Sequence, residues 1–165
     1  MTTTTQTASE LYSIPLTTID GQSTTLTPYK GKVLLVVNVA SRCGFTPQYA
    51  KLEELQNSLH NKNFSVLGFP CNQFLNQESK SNDEIKSFVQ QCYKVTFPMF
   101  AKLNVRGKEQ HPLYNYLARH IEKPAFPFIP WNFTKILINA DGHVLKRYPP
   151  TTSLNKIKSD IEALL

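Results

Sequence analysis

A cysteine stands where a run of apolar residues gives way to the pattern of a helix start. Cys43 lies in the segment 38–49, NVASRCGFTPQY, directly after the apolar residues 33–37. Thr46 suits the N-cap of a helix and Pro47 suits its first position. A helix N-terminus lowers the pKa of a nearby thiol and so favours the nucleophilic thiolate. The position suits either a catalytic thiolate or a small buried core residue, and the pattern leaves both open.

The spacing of the cysteines narrows the chemistry that Cys43 can perform. A dithiol redox motif needs a second cysteine three residues on, and Thr46 occupies that position. A lone thiolate instead suits attack on an electrophile such as a peroxide, which leaves a sulfenic acid. The total of three cysteines is odd, unlike the disulfide framework of a secreted protein.

The segments that must position Cys43 alternate between strand and helix patterns. Apolar runs and turn residues predict strands at 32–40, 64–70 and 97–104, and hairpins at 11–32 and 132–148 with turns at Asp20-Gly21 and Asp141-Gly142. Helical periodicity and capping residues predict helices at 46–61, 81–94, 111–121 and 153–165.

This order predicts an α/β domain over residues 11–165, preceded by a disordered, Thr-rich tail at 1–10. The first β-α-β unit should have parallel strands, and the terminal hairpin should make the central sheet mixed. Helices should flank both faces of that sheet. Because sites form beyond the carboxyl ends of strands in such sheets, Cys43 occupies a favourable position.

Composition and charge exclude several classes of protein. The longest apolar stretch, 33–40, is too short to span a bilayer, which needs roughly 20 residues, so we expect no stable membrane insertion. The N-terminus has no pattern of a signal peptide, which predicts a cytoplasmic protein. The net charge of +6 is spread along the chain without a basic stripe, which argues against nucleic-acid binding. Histidines and cysteines form no ligand motif, so we expect neither a metal nor another cofactor.

Three short blocks together resemble a known family. NVASRCGFTPQY at 38–49, GFPCNQF at 68–74 and WNF at 131–133 are similar to the signature blocks of the glutathione peroxidases, and the likeness runs from Leu11 to the C-terminus. The resemblance implies a thioredoxin-like fold and the reduction of hydroperoxides, including organic and lipid hydroperoxides, to alcohols or water. It also implies a function in the response to oxidative stress.

The resemblance further implies an active site composed of Cys43, Gln77, Trp131 and Asn132. Cys43 would become the sulfenic acid, while the indole N–H and the two amide groups would hold the anion and orient the peroxide. Taken singly, each polar residue also has an ordinary explanation. Trp131 could be core packing, Asn132 a turn residue and Gln77 a solvated loop residue.

The second cysteine of the chain is expected to be structural. Cys71 lies in the GFPCNQF block beyond a strand end, and the resemblance does not make it the nucleophile. Asn72 and Gln73 are expected to hold this loop by hydrogen bonds.

The role of Cys92 has two interpretations. Many cysteine-type family members have a resolving cysteine directly after the phenylalanine of this helix, but Val89 follows Phe88 here and Cys92 comes three residues later. Cys92 could pack in the core beside Ile85 and Phe88. Alternatively, the helix could unwind after oxidation and let Cys92 reach Cys43.

The reductant and the assembly are expected from the same resemblance. Thioredoxin would reduce a Cys43–Cys92 disulfide, or an external thiol such as glutathione would reduce the sulfenic acid directly. Only the segment 118–130 lies between the preceding helix and Trp131, which predicts a monomer with an open site. Two further hypotheses are a peroxide sensor that relays oxidation to a partner protein and a thioredoxin-fold binding protein without catalysis.

Overall fold

The computed structural model describes residues 2–123 and 127–165. Its α-helices are α1 Thr2–Ser13, α2 Gln48–Leu59, α3 Asn82–Tyr93, α4 Pro112–His120 and α5 Leu154–Glu162. Its strands are β1 Leu16–Thr17, β2 Ser23–Thr24, β3 Val33–Val39, β4 Phe64–Pro70, β5 Lys135–Ile138 and β6 Val144–Tyr148. Short 3-10 helices occupy Thr27–Tyr29 and His60–Lys62.

The central sheet has the strand order β4-β3-β5-β6. β3 and β4 are parallel, β5 is antiparallel to β3, and β6 is antiparallel to β5. β3 and β4 are buried along their whole length, which explains their nearly unbroken apolar sequences. The predicted mixed sheet and its parallel first unit are therefore confirmed.

The strand directions bring three loops to one edge of the sheet. The parallel strands β3 and β4 both end at this edge, and β5 begins there because it runs in the opposite direction. The segments that follow β3 and β4 and the segment that precedes β5 are therefore neighbours. These three segments contain Cys43, Gln77 and the pair Trp131-Asn132.

Side chains on the two faces of the sheet enter two separate cores. On β3, Leu34 and Val36 belong to the core that packs against α1 and α4. Leu35 and Val37 belong to the core that packs against α2, α3 and α5. This alternation follows from the two-residue period of a strand. Helices cover both faces of the sheet, as predicted.

The N-terminal segment differs from the disordered tail that we expected at 1–10. Residues 2–13 form α1, and β1 and β2 follow as the predicted hairpin with its turn around Asp20-Gly21. Leu11 and Tyr12 are buried, and Ala8 packs against the same core. Threonine is a poor helix former, so it is this packing at the end of α1, not local propensity, that favours the helix.

The segment 97–104 is not the regular strand that we expected. Met99 makes an isolated bridge to Gly68 of β4, and Phe100 makes another to the N-terminal hairpin. Pro98 has no N–H to donate to a ladder. The segment therefore connects the hairpin to the edge of the sheet through single bridges.

A lysine at the start of β5 gives the first testable prediction. Lys135 is fully buried, and Nζ donates to the side chain of Gln48 and to the carbonyl of Pro150. Burial lowers the pKa of Lys135 to about 8, below the value of about 10.4 in an unfolded chain. Between these two values the unfolded state binds more protons, so the contribution of Lys135 to stability rises with pH.

Lys135→Met removes this titratable group. We therefore subtract the free energy of unfolding of Lys135→Met from that of the parent at each pH. This difference should rise by up to about 1 kcal/mol per pH unit between about pH 8 and 10. Urea denaturation over this pH range measures the difference. The exposed Lys62, replaced in Lys62→Met, is the matched control and should show no such slope. A difference between parent and Lys135→Met that stays constant with pH would contradict the prediction.

Candidate active site

Cys43 is held in a tight turn at the head of α2. Its Sγ accepts a hydrogen bond from the backbone N–H of Phe45 at 3.3 Å. The backbone N–H of Cys43 donates to Thr46 Oγ1 at 2.9 Å, and the Thr46 hydroxyl donates to the carbonyl of Ala40 at 2.8 Å. The side chain of Cys43 is nearly buried, with an exposure of 8%. The turn thus aims a backbone N–H at the sulfur.

The predicted N-cap at Thr46 is wrong. The helix begins at Gln48, Pro47 occupies the N-cap position, and no side chain caps the helix. The Thr46 hydroxyl is already engaged by the turn, whose backbone closes through Thr46 N–H to the Cys43 carbonyl at 3.0 Å. Thr46 therefore orders the cysteine turn instead of the first turn of the helix.

Gln77 lies beside the cysteine turn and contacts Asn132. The carbonyl of Gln77 accepts from the backbone N–H of Arg42 at 3.0 Å. Its side-chain Oε1 accepts from Asn132 Nδ2 at 2.9 Å, and Asn132 is fully buried. With the oxygen engaged in this way, the amide nitrogen of Gln77 is the group left to donate.

Trp131 is fixed through its backbone and its ring. Its carbonyl accepts from Asn38 Nδ2 at 3.0 Å and from Thr134 Oγ1 at 2.8 Å. Its ring lies 5.4 Å from the ring of Phe74 and packs against both cores. Because Asn38 is the penultimate residue of β3, these bonds anchor the loop before β5 to the strand that leads into the cysteine turn.

The four residues implied by the family resemblance thus lie in segments that meet at one edge of the sheet, whereas Cys92 lies on α3. Cys92 is exposed in the last turn of α3. Ile85 and Val89 form the buried face of this helix, and the same row continues to Tyr93, which stacks on Tyr49 at 5.4 Å between ring centroids. The core-packing interpretation of Cys92 is wrong because Cys92 lies to one side of that row.

Cys71 and its neighbours stabilise the loop after β4. Cys71 is buried, and its thiol donates to Gln73 Oε1 at 3.6 Å. Gln73 Oε1 also accepts from the backbone N–H of Val105 at 2.7 Å, and Asn72 Oδ1 accepts from the backbone N–H of Glu78 at 3.0 Å. Burial raises the pKa of the Cys71 thiol. These contacts agree with the structural role predicted for Cys71 and confirm that Asn72 and Gln73 hold the loop.

Sequence reasoning missed a buried carboxylate at this edge. Glu78 is fully buried, and its Oε2 accepts from the Ser41 hydroxyl at 3.0 Å. Burial raises the pKa of Glu78 to about 7. A glutamate in a polar loop is normally solvated, so its only signal in the sequence is its position directly after Gln77.

Two other features bear on the class of protein. Across residues 2–123 and 127–165, no cluster of three or more His, Cys, Asp or Glu side chains could hold a metal ion. None of the helices within those ranges is both long and apolar enough to cross a membrane.

Known proteins resemble the chain in sequence. The family model described as glutathione peroxidase matches residues 11–118. The hydroperoxy fatty acid reductase gpx1 of Synechocystis sp. is 45% identical, over 98% of this chain and 99% of that protein. The thioredoxin/glutathione peroxidase BtuE of Escherichia coli is 46% identical, over 80% of this chain and 83% of that protein.

Solved structures resemble the chain in fold. The crystal structure of T. cruzi GPX1 has a TM-score of 0.74 and 34% identity, and the match covers 93% of this chain and 95% of that chain. A thiol:disulfide interchange protein of the thioredoxin family from Chlorobium tepidum has a TM-score of 0.67 at 16% identity, over 92% of each chain. The second likeness concerns the fold alone.

The fold and these likenesses define a thioredoxin-fold thiol peroxidase, an oxidoreductase that acts on peroxides. The chain belongs to the glutathione peroxidase family.

The turn around Cys43 gives the second prediction. Thr46→Val keeps the shape of the side chain but leaves the Cys43 N–H and the Ala40 carbonyl without their partner. We expect the free energy of unfolding to fall by about 1–3 kcal/mol, the cost of leaving buried polar groups unsatisfied. Urea denaturation measures this loss, with Thr151→Val in an exposed turn as the control. Equal midpoints for Thr46→Val and the parent would contradict the prediction.

Proposed function

We propose that Cys43 is the nucleophile that reduces hydroperoxides. The observation that supports this most is the bond from the Phe45 N–H to Cys43 Sγ at 3.3 Å, in a turn that leads into α2. Such a donor stabilises negative charge on sulfur before the peroxide arrives. The partial positive charge at the head of α2 acts in the same direction.

The proposed reaction needs no cofactor. The Cys43 thiolate attacks one peroxide oxygen, so that an S–O bond forms as the O–O bond breaks. Sulfur is oxidised to the sulfenic acid, and the peroxide is reduced to an alkoxide or hydroxide, which takes a proton to leave as an alcohol or water. Two thiol equivalents then return sulfur to the thiol, and the second oxygen leaves as water.

Gln77, Trp131 and Asn132 are proposed to serve this step as neutral donors. Asn132 orients the Gln77 amide through the 2.9 Å bond to Oε1, which leaves the Gln77 nitrogen to donate to an oxygen or sulfur anion. The indole N–H of Trp131 is the other proposed donor. Preorganised donors of this kind stabilise developing charge without reorganising during the reaction.

Replacement of the nucleophile tests the proposed site. We expect Cys43→Ser to consume peroxide no faster than the uncatalysed reaction, because a serine hydroxyl without an adjacent base is not ionised at neutral pH. Peroxide consumption with dithiothreitol as the reductant measures this loss. Cys71→Ser is the matched control and should retain activity. A Cys43→Ser variant as fast as the parent would overturn the proposal.

Cys92 is proposed to resolve the oxidised enzyme. Its neighbour Tyr93 stacks on Tyr49 in the first turn of α2, so the end of α3 lies against the helix that follows Cys43. Lys94 ends α3 with a left-handed backbone, φ 50°, a conformation that non-glycine residues rarely adopt. Unwinding of this last turn would allow the Cys92 thiol to attack the sulfenic sulfur of Cys43, releasing water and forming a disulfide.

The reductant follows from this step. A disulfide between Cys43 and Cys92 is a suitable substrate for thioredoxin, and the E. coli relative is named a thioredoxin/glutathione peroxidase. Glutathione is the alternative reductant if Cys92 stays on its helix and the sulfenic acid is reduced directly.

Disulfide mapping distinguishes the two routes. After one equivalent of hydrogen peroxide, we expect mass spectrometry to find a Cys43–Cys92 bridge in the parent. In Cys92→Ser we expect a persistent Cys43 sulfenic acid and loss of turnover with thioredoxin. Persistent sulfenic acid in the parent, with Cys92 free, would contradict the two-cysteine route and favour glutathione.

Hydroperoxides with long acyl chains are proposed substrates beside hydrogen peroxide. The Synechocystis relative is named for hydroperoxy fatty acids, and the short sequence 118–130 before Trp131 is the feature from which we expect access for bulky molecules. The same short segment supports a monomer. Three free cysteines support a reducing compartment such as the cytoplasm, where the protein would act in the response to oxidative stress.

A peroxide relay is the second candidate function. The exposed thiol of Cys92 favours it, since an accessible thiol can pass oxidation to a partner protein by disulfide exchange. The test compares two rates: the rate at which a mixed disulfide forms with another protein, and the rate of turnover with thioredoxin. A faster mixed disulfide would support the relay.

A further inference from the structure

A groove between α2 and α5 begins at the turn that holds Cys43. Its volume is about 710 Å³, within the range of about 300–1,000 Å³ for small-molecule sites. Phe45, just before α2, lines the groove, and its backbone N–H is the donor to Cys43 Sγ. Gln48 and Ser58 also line it, so the groove follows α2 for roughly 15 Å at 1.5 Å per residue. This length suits an elongated molecule whose reacting group lies near Cys43.

Apolar side chains line the groove on both of its helical walls. Leu55 of α2 is buried, whereas Leu154 at the start of α5 and Phe45 are half-buried. All three pack in or against the same core. Phe45 and Leu154 therefore leave apolar surface open to the groove, and an acyl chain that covered this surface would remove it from water. Such burial is favourable in water.

The charges along the groove favour an anion. Lys51 of α2 and Lys158 of α5 line it, together with Glu54. Glu54 pairs with Lys51 at 3.7 Å, which offsets the charge of that lysine. Lys158 is half-buried and forms no ion pair with any other residue of 2–123 and 127–165. The ammonium group of Lys158 is therefore available to the carboxylate of a bound molecule.

A buried cation lies directly behind the wall of the groove. Lys135 Nζ donates to the side chain of Gln48 and to the Pro150 carbonyl at 3.3 Å, and both of these residues line the groove. Burial lowers the pKa of Lys135 to about 8, so most molecules carry its charge at pH 7. No carboxylate in the described part of the chain pairs with it. A buried charge without a counterion is costly, and an anion in the groove would offset part of that cost.

We propose that the groove binds fatty-acid hydroperoxides by their free carboxylate. The carboxylate lies at Lys158, and the acyl chain follows the apolar side chains toward Cys43. A hydroperoxide group within a long chain is several carbon atoms from the carboxylate, so one molecule reaches both places. The groove thereby selects free acids over their esters. This inference rests on the proposed reduction of hydroperoxides by Cys43, and it adds the part of the substrate that is recognised and the residues that recognise it.

The experiment compares linoleic acid hydroperoxide with its methyl ester, which lacks the negative charge. Both are used below their critical micelle concentrations, with dithiothreitol as the reductant and hydrogen peroxide as a third substrate. We expect Lys158→Met to lower kcat/KM for the acid by about 3-fold to 10-fold, between the effects of an exposed ion pair and of a charge-assisted hydrogen bond. The ester and hydrogen peroxide should react as with the parent. Lys158→Arg keeps the charge and should retain most of the activity on the acid, and the exposed Lys62, replaced in Lys62→Met, is the matched control.

A second variant should act in the opposite direction. Glu54→Gln removes a repelling carboxylate and releases Lys51, so kcat/KM for the acid should rise while the ester is unaffected. An unchanged acid rate in Lys158→Met, or an equal loss with all three substrates, overturns the proposal. A loss in Lys158→Met that appears only with thioredoxin as the reductant also overturns it, because the groove would then bind the reducing protein. Failure of the proposed function would appear separately, as peroxide consumption by Cys43→Ser.

Discussion

The antiparallel pairing of β5 with β3 determines where Trp131 and Asn132 lie relative to the turn that holds Cys43. Val37 pairs with Lys135 in this ladder, and the Phe133 N–H extends the pairing by donating to the Asn38 carbonyl at 2.6 Å. A shift of one residue in this register would turn every side chain of β5 to the opposite face. The pairing therefore sets the position of Asn132 relative to the end of β3, and the cysteine turn begins a few residues beyond that end.

The proposed site would stabilise charge with dipoles, while burial favours the neutral forms of the ionisable groups Glu78 and Lys135. Burial raises the pKa of Glu78 and lowers that of Lys135, so the neutral form of each gains. A backbone N–H donates to Cys43 Sγ, and the side-chain amides of Asn132 and Gln77 bond to each other at the same edge of the sheet. In a surrounding of low dielectric constant such bonds are stronger than in water, and they leave no fixed countercharge to trap an anionic product.

The parts of the fold that the sequence predicted are those with a local cause. β3 and β4 are buried on both faces, so their apolar runs predicted them as strands. The capping box of Ser81 and Glu84 predicted the start of α3. The four proposed site residues could be predicted only through the family resemblance, because a glutamine, an asparagine or a tryptophan taken singly is more often a solvated loop residue, a turn residue or part of the core.

The remaining features depend on contacts between distant segments. The Thr46 hydroxyl bonds to the cysteine turn because the chain folds back there, and Glu78 is buried because three loops converge. Cys92 is exposed because its position around the axis of α3 lies to one side of the buried face. An apolar sequence pattern does not fix the edge of that face so finely. The helix at the N-terminus depends on the packing of Leu11 and Tyr12 against the core.

Burial ranks the three cysteines by access from solvent. Cys71 is enclosed at 1% exposure, Cys43 is nearly so at 8%, and Cys92 is open. A bulky thiol-specific label would therefore react with Cys92 well before Cys43. The protein thus carries a natural attachment point for a spectroscopic probe on α3, from which the distance to the sheet could be followed while Cys43 remains chemically intact.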